Sequence, residues 1–379
     1  MIIRNIARWN SDLDFTNSDI FVEGNLIVRH EDCISINDSA VIDAAGLMAI
    51  PGLVDVHLHG CNGYDFGINT LHSLPQIAAY EVQHGVTTVC PTSMTYSEEL
   101  LTPIITHAAA FAKSNAPFSK AIGGLHMEGP FISPQKMGSQ NPDYIRKPDV
   151  KMFRRLLHVS EHLIKLITLA PEEDTDFTFI KELNQEVAIS LGHTTADYST
   201  AMLAFSYGAN HVTHLYNAMI PFSHKAPGII GAASDYRKAY VELICDGIHV
   251  HPSAVRAAFK LFPNDHICLI SDSLMSAGMP DGIYTLGGQP IYAVNHKTCL
   301  KDGTLAGSNV TLFDCLKIAV TKVGIPLPVA IGCATLNPAR SIGIDSKVGS
   351  LDIGKYADIL LLNQNLEIVH IINKGRLIF

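Results

Sequence analysis

Short apolar runs and longer amphipathic stretches alternate through the middle of the chain. The runs fall at 51–57, 86–91, 121–127, 165–170, 187–192, 210–214, 241–246 and 267–271. They are short, apolar and strand-like, the pattern of strands buried on both faces. Helix-like stretches lie between most of them, near 73–85, 97–113, 148–160, 175–185, 196–207 and 252–261, with a last one near 309–323. Ser73 reads as an N-cap, with Pro75 in the first turn and Gly85 as the stop, and Ser97-Glu98-Glu99 opens the next helix. Only residues 228–233 are weakly helical where a helix is due. Eight strands alternating with helices over roughly 250 residues predict a (β/α)8 barrel. A doubly wound open sheet would carry a glycine-rich phosphate loop after an early strand, and the chain has none.

The two ends follow another rhythm. Short strands separated by polar turns are predicted at Ile20-Phe21-Val22, 25–28, Cys33-Ile34-Ser35-Ile36 and 40–43, and again at 357–362 and 368–372. Neither end has enough apolar residues for its own core. Together, residues 1–49 and 345–379 predict one small β-sandwich beside a catalytic barrel of residues 50–344. Residues 282–304, with Gly287-Gly288, predict a hairpin inserted before the last helix.

Composition narrows the classes. With 47% hydrophobic and 17% charged residues the 379-residue chain is globular. A formal charge of −9 argues against a nucleic-acid partner and means that an anionic ligand needs a local positive site. No apolar run approaches a membrane span, and Met1–Trp9 has no signal core. Eight cysteines without a Cys-x-x-Cys pair, mostly in apolar stretches, read as reduced core residues of a cytoplasmic protein. Lys151, Arg154 and Arg155 read as a solvated helix face. Histidine, at 18, is the unusual count.

Barrel chemistry sits at the carboxyl ends of the strands. Those ends carry His57-Leu58-His59, His126-Met127-Glu128, Gly192-His193-Thr194, Thr213-His214, Cys245-Asp246-Gly247-Ile248-His249 and Ser271-Asp272-Ser273. His57 and His59, two apart on a strand, share a face. One strand-end histidine has a dull explanation as a satisfied polar side chain; histidines on four strand ends with two carboxylates do not. Imidazole and carboxylate without thiolate suit Zn, Fe, Mn, Co or Ni. Glu128, His193 and His214 supply the three ligands of a catalytic site, and His57 and His59 offer a second cluster, so one or two divalent ions are expected. Asp272 is the natural general base for water acidified by such an ion.

The order His-x-His, Met-Glu-Gly-Pro, Gly-His-Thr, His-Leu-Tyr-Asn-Ala-Met, Asp-Gly-Ile-His-Val and Ser-Asp-Ser, closing with Gly-Ser-Leu-Asp-Ile-Gly-Lys-Tyr-Ala-Asp, resembles the amidohydrolase superfamily. More narrowly it resembles the N-acetylglucosamine-6-phosphate deacetylase family, over nearly the whole chain. The resemblance implies a metal-dependent barrel flanked by a β-sandwich, zinc as the first ion to consider, a phosphorylated amino sugar as substrate and a homodimer. It also implies that Glu128, His193 and His214 are the principal ligands, Asp272 the catalytic aspartate and His249 the group that polarises the acetamide carbonyl. Asn217 and the backbone of Ala218 match phosphate-holding positions, and His57 and His59 a pair used by some members for a second metal. Lys165 lies at the wrong end of its strand to be the carboxylated lysine of other amidohydrolases, which disfavours a cyclic-amide hydrolase.

Two positions depart from the pattern. Gln140, in Gly138-Ser139-Gln140, stands where the family has a histidine that reaches substrate, and Lys225, beside His224, stands where it has an arginine. Lysine grips phosphate as a point charge rather than bidentately. With His224, Gln140 and Lys225 taken as substrate contacts, an altered sugar such as N-acetylgalactosamine 6-phosphate is the alternative. A sugar-binding relic without turnover would lack Asp272 or a ligand, and none is missing. His251 near the mouth is a further positive candidate. Trp9 and the tyrosines near the hairpin are candidates for a subunit interface.

Overall fold

The computed structural model describes residues 1–32 and 40–379. Its centre is a ring of eight parallel strands: β1 (Leu53–Leu58), β2 (Val86–Ser93), β3 (Leu125–Glu128), β4 (Ile164–Leu169), β5 (Ala188–Leu191), β6 (His211–Val212), β7 (Tyr240–Ile244) and β8 (Ile267–Ile270). Each pairs with its neighbour in chain order. Across the seam, Asp272 N–H donates to His57 O at 2.9 Å and His59 N–H to Ser273 O at 2.8 Å. This is the barrel that the alternation predicts. Helices cover the outside, so β1, β2 and β8 are buried at every residue.

The outer helices are α1 (Thr70–Gln83), α2 (Glu98–Lys113), α3 (Val150–Val159), α4 (Thr178–Leu183), α5 (Tyr198–Ser206), α6 (Gly228–Tyr236), α7 (Pro252–Leu261) and α8 (Leu312–Ile318). α2 turns Leu101, Ile104, Ile105, Ala108 and Ala109 inward, a single stripe at helical spacing. α1 begins earlier than expected: Asn69 is at the cap, and the Ser73 hydroxyl, inside the first turn, donates to Ile68 O at 2.9 Å. α6 is a full helix where the sequence reads only weakly. Residues Gly228–Ala233 are all buried, so the polar face on which a periodicity argument depends is missing. Two further helices, Leu327–Ala334 and Leu336–Ser341, lie beyond the last one expected; Ala339, with Ile342 just beyond them, packs against the barrel residues Val54, Leu166 and Ile270.

Both chain ends enter one six-stranded sheet, in the order Arg376–Leu377, Ile368–Asn373, Ile359–Leu362, Met48–Pro51, Ala7–Asn10, Asp14–Asn17. A four-stranded sheet of Leu26–Val28, Ile20–Glu23, Ile2–Arg4 and Val41–Asp43 shares its apolar core, through Ile3, Ile20 and Ile27 against Ala49, Ile359 and Leu361. The strand predicted at Cys33–Ile36 lies outside the described residues. Met48–Pro51 belongs to the sandwich, so the first barrel strand starts at Leu53, after Gly52. A Cβ there would lie 2.1 Å from Thr87 Oγ1, so only glycine lets the chain cross from one layer to the other. Trp9 is fully buried, its indole N–H donating to Pro328 O at 3.0 Å, and is therefore not available to a subunit interface. The predicted hairpin is present as Gly282–Leu286, Gln289–Val294 and Lys297–Cys299. Arg154 pairs with Glu182 and Glu186, and Arg155 with Glu98, on the helix surface. The described cysteines are all free, and all but Cys299 are buried. Among the described residues, no helix is long and apolar enough to cross a membrane.

Candidate metal centre

Regular strands cannot by themselves aim four imidazoles at one point, and the chain bends where they end. His193, His214 and Asp272 take left-handed backbone conformations, with φ of 48°, 28° and 49°. Non-glycine residues there are held by their surroundings at some energetic cost, and such positions cluster at functional sites. At the end of β1 the chain turns at Gly60, where a Cβ would lie 2.1 Å from Tyr64 O.

The result is two groups of ligand atoms around one carboxylate. Glu128 Oε1 lies 3.1 Å from His193 Nε2 and 3.1 Å from His214 Nε2, which are 3.0 Å from each other. On the other side, His57 Nε2 is 3.4 Å from Glu128 Oε1 and 3.5 Å from Asp272 Oδ1. His59 Nε2 is 3.4 Å from Glu128 Oε2 and 3.3 Å from Asp272 Oδ1. All six side chains are buried.

Three of the four imidazoles are set in the ligand tautomer. His57 Nδ1–H donates to Glu242 Oε2 at 2.9 Å, His59 Nδ1–H to Thr92 O at 3.0 Å and His193 Nδ1–H to Lys136 O at 2.8 Å. Each then presents Nε2 as a lone pair. His57 Nε2 is a buried polar atom with no hydrogen-bond partner, and His193 Nε2 faces Glu128 Oε1, acceptor against acceptor. Donors about 2.1 Å from a tetrahedral ion stand about 3.4 Å apart, close to the spacings in both groups. These residues fit a divalent cation.

The ion-free electrostatics say the same. Burial pulls His57 toward its neutral form, yet Glu242, Glu128 and Asp272 outweigh it and hold the ring well above its ordinary range. His59, against the same burial, is raised to about 9 by Asp272 and Glu128. Glu128 is driven well below the carboxylate range in spite of burial, by His57 and His193. Asp272 is likewise lowered against burial, chiefly by His57 and His59, and stands ionised as a base must.

A cavity of about 330 Å³ opens over the cluster, lined among others by His59, Glu128, His193, His214, Asn217, Ala218, His249 and Asp272. That suits a small polar ligand such as a sugar phosphate. The Asp246 carboxylate, lowered against burial by His249, accepts His249 Nδ1–H at 2.7 Å and the backbone N–H groups of Ile248 and His249 at 2.8 Å. His249 is thereby fixed with Nε2 left for a ligand. A larger cavity, about 720 Å³, lies behind the Asp246–Ile248 turn and contains none of the clustered ligands.

Three expected substrate contacts are placed differently. Gln140 borders the cavity, but its amide is engaged: Thr95 N–H donates to Oε1 at 2.7 Å and Nε2 donates to Glu128 Oε2 at 2.6 Å. His224 and Lys225 are exposed on a loop outside the cavity lining. His251 is exposed as well, and its ring accepts Ser253 N–H at 3.2 Å to cap α7. Lys165 lies at the start of β4, its stem near Gly124.

Some residues escaped the sequence. Lys136 lines the cavity and, among the described residues, is the only lysine or arginine that does so. Glu242 is fully buried, is lowered to about 2 against burial by His57, and also accepts the backbone N–H of His214 at 3.1 Å. A carboxylate in the middle of a strand was a detectable signal, since a charge there needs a buried partner. Lys136 gave none, being one lysine in a polar loop. Leu286 brings the inserted hairpin to the cavity wall, and Gln289 Nε2 donates to Ser139 O at 3.1 Å to anchor it.

The sequence profile of the amidohydrolase family matches residues 48–378. The chain is 34% identical over 338 residues to the N-acetylglucosamine-6-phosphate deacetylase of Bacillus subtilis, covering 88% of this chain and 85% of that protein. It is 32% identical over 328 residues to the N-acetylgalactosamine-6-phosphate deacetylase of Escherichia coli O157:H7, covering 86% of each. Among solved structures, a mutant N-acetyl-D-glucosamine-6-phosphate deacetylase from Mycobacterium smegmatis in complex with N-acetyl-D-glucosamine-6-phosphate superposes with a TM-score of 0.91 at 28% identity, over 100% of this chain and 98% of that one.

Proposed function

The chain belongs to the amidohydrolase family, and from that premise we propose that it hydrolyses the acetamide of an N-acetyl amino-sugar 6-phosphate, releasing acetate and the free amine. N-acetylglucosamine 6-phosphate is the first substrate, in cytoplasmic amino-sugar catabolism. The observation that carries this is the convergence of Glu128, His193, His214, His57 and His59 with Asp272 and His249 on one cavity of about 330 Å³.

Glu128, His193 and His214 would hold one ion, and His57, His59, Asp272 and Glu128 a second; zinc is the first candidate for both. A divalent ion there would supply Lewis-acid polarisation and a water acidified to a pKa of about 7. Asp272, ionised, takes the proton of the attacking water and delivers it to the amine nitrogen as the C–N bond breaks. His249, oriented by Asp246, meets the carbonyl oxygen as negative charge develops on it. Asn217, the backbone of Ala218 and Lys136 receive the phosphate. His224 and Lys225 lie exposed outside the cavity lining, and the homodimer rests on the family resemblance.

A second reading is the galacto epimer, favoured by the Escherichia coli relative. The test is acetate release from a panel of N-acetyl amino sugars, with and without 6-phosphate, before and after chelation. Release confined to 6-phosphates and lost on chelation is the expected result; no release from any sugar refutes the function, and faster release from the galacto epimer selects the second reading.

A further inference from the structure

The Gln140 amide can be oriented without ambiguity. A backbone N–H can only donate, so the atom 2.7 Å from Thr95 N is Oε1. The amide nitrogen therefore faces Glu128 Oε2, at 2.6 Å. Gln140 is 3% exposed, so neither bond is lost to solvent. Oε2 is the oxygen toward His59, whereas Oε1 faces His193 and His214 and also lies 3.4 Å from His57 Nε2. A carboxylate has a free rotation about its last bond, and the Gln140 amide fixes it.

We infer that Gln140 is a positioning residue that holds Glu128 with Oε2 toward His59 and Oε1 toward His193 and His214, and is not a contact to the sugar. The inference rests on the two-ion arrangement proposed above. Without the amide, Glu128 is free to turn both oxygens toward His193 and His214, and the group around His57 and His59 loses a ligand. The first ion keeps its donors.

Substituting Q140M removes the N–H and nearly preserves volume; Q140L carries the same expectation should Q140M not fold, judged by circular dichroism. Q140H restores a ring N–H. Metal content per chain after dialysis against dilute zinc, with titration calorimetry of the stripped protein, is the readout, together with kcat and KM for the sugar phosphate. We expect two ions in the wild type, one in Q140M and two in Q140H, the second ion binding Q140M about 10- to 100-fold more weakly. KM should stay within about twofold while kcat falls, as for a residue that does not touch substrate. Two ions in both wild type and Q140M, or a raised KM with unchanged metal content, overturns the inference alone. Fewer than two ions in the wild type overturns it together with the two-ion arrangement, whereas the deacetylase reaction is tested separately by acetate release.

Discussion

Lys136 offers the sharpest test of the substrate. A protein of net charge −9 must bring a phosphate dianion to a cavity that already contains Glu128 and Asp272, and Lys136 is the one described lysine or arginine on its wall. It sits in the loop that approaches the Asn217–Ala218 turn: a Cβ built on Gly138 would lie 4.0 Å from Ala218 Cβ. No described carboxylate forms an ion pair with it, so its charge is available to a ligand. At 4 Å and an effective dielectric of about 20, each unit of phosphate charge attracts it by about 4 kcal/mol. Lys136 is half-buried, and lost hydration offsets much of this, leaving about 1.5–3 kcal/mol for a charge-assisted hydrogen bond. Lys136→Met should therefore lower kcat/KM for the sugar phosphate by about 10- to 150-fold, at about 1.4 kcal/mol per decade. The loss should appear mainly in KM, because the phosphate is remote from the breaking bond. The unphosphorylated sugar, assayed by acetate release under the same conditions, should be hydrolysed no more slowly by the variant. An unchanged preference for phosphate in Lys136→Met would refute the assignment and shift the burden to backbone donors or to Lys225 from a second subunit.

Other expectations follow from the same geometry. Asp272→Asn should reduce kcat by about 10²- to 10⁴-fold while the protein still holds zinc at Glu128, His193 and His214; elemental analysis beside the kinetics separates the two effects. Metal affinity should depend on pH: His59 holds its proton up to about pH 9 without an ion, and an ion must displace it. Below that pH, apparent affinity should fall about tenfold for each unit of acidification per proton displaced; a flat profile by calorimetry between pH 6 and 9 would refute the protonation scheme. Glu81, buried with both oxygens unpartnered, is raised to about 8 by burial and by Asp55. The folded state keeps that proton while the unfolded chain releases it near pH 4.5, so stability should fall as pH rises from about 4.5 to 8. Glu81→Gln should flatten that part of the curve and be more stable at pH 7 by about 3 kcal/mol; urea unfolding at several pH values would show parallel curves if Glu81 were charged in the fold.

Much of this protein is legible from its sequence because its strands and ligands are local signals. Each barrel strand announces itself by a short apolar run, and His57, Glu128, His193, His214 and Asp272 stand at or just beyond the ends of such runs. What escapes is non-local. α6 lacks a polar face because the surrounding structure covers it on all sides, a property of the packing rather than of Gly228–Ala233. Trp9 reads as a surface aromatic until Pro328 supplies its acceptor from the other end of the chain, at 3.0 Å. Gln140 was expected at the sugar because the resemblance places a substrate-reaching side chain there; only the position of Thr95 N–H shows where the amide is spent.

Glu242 ties the histidine cluster to the strained ends of the barrel. Its side chain accepts His57 Nδ1–H and His214 N–H, and its own carbonyl accepts Leu215 N–H at 2.8 Å. One residue of β7 therefore orients a ligand from β1 and pins the backbone after β6, where His214 has φ of 28°. A left-handed residue in the absence of such bonds would relax toward an ordinary conformation and swing its side chain off the cluster. The same carboxylate would be intolerable in a barrel interior without partners. Its burial is matched by His57, which is in turn raised by Glu242, Glu128 and Asp272 together. The polar interior is thus a single coupled unit, in which histidines neutralise carboxylates and carboxylates fix histidines. That mutual dependence explains how side chains on separate strands converge on Glu128, and why a change at Glu242, which lies behind His57 and His214, should reach both groups around it.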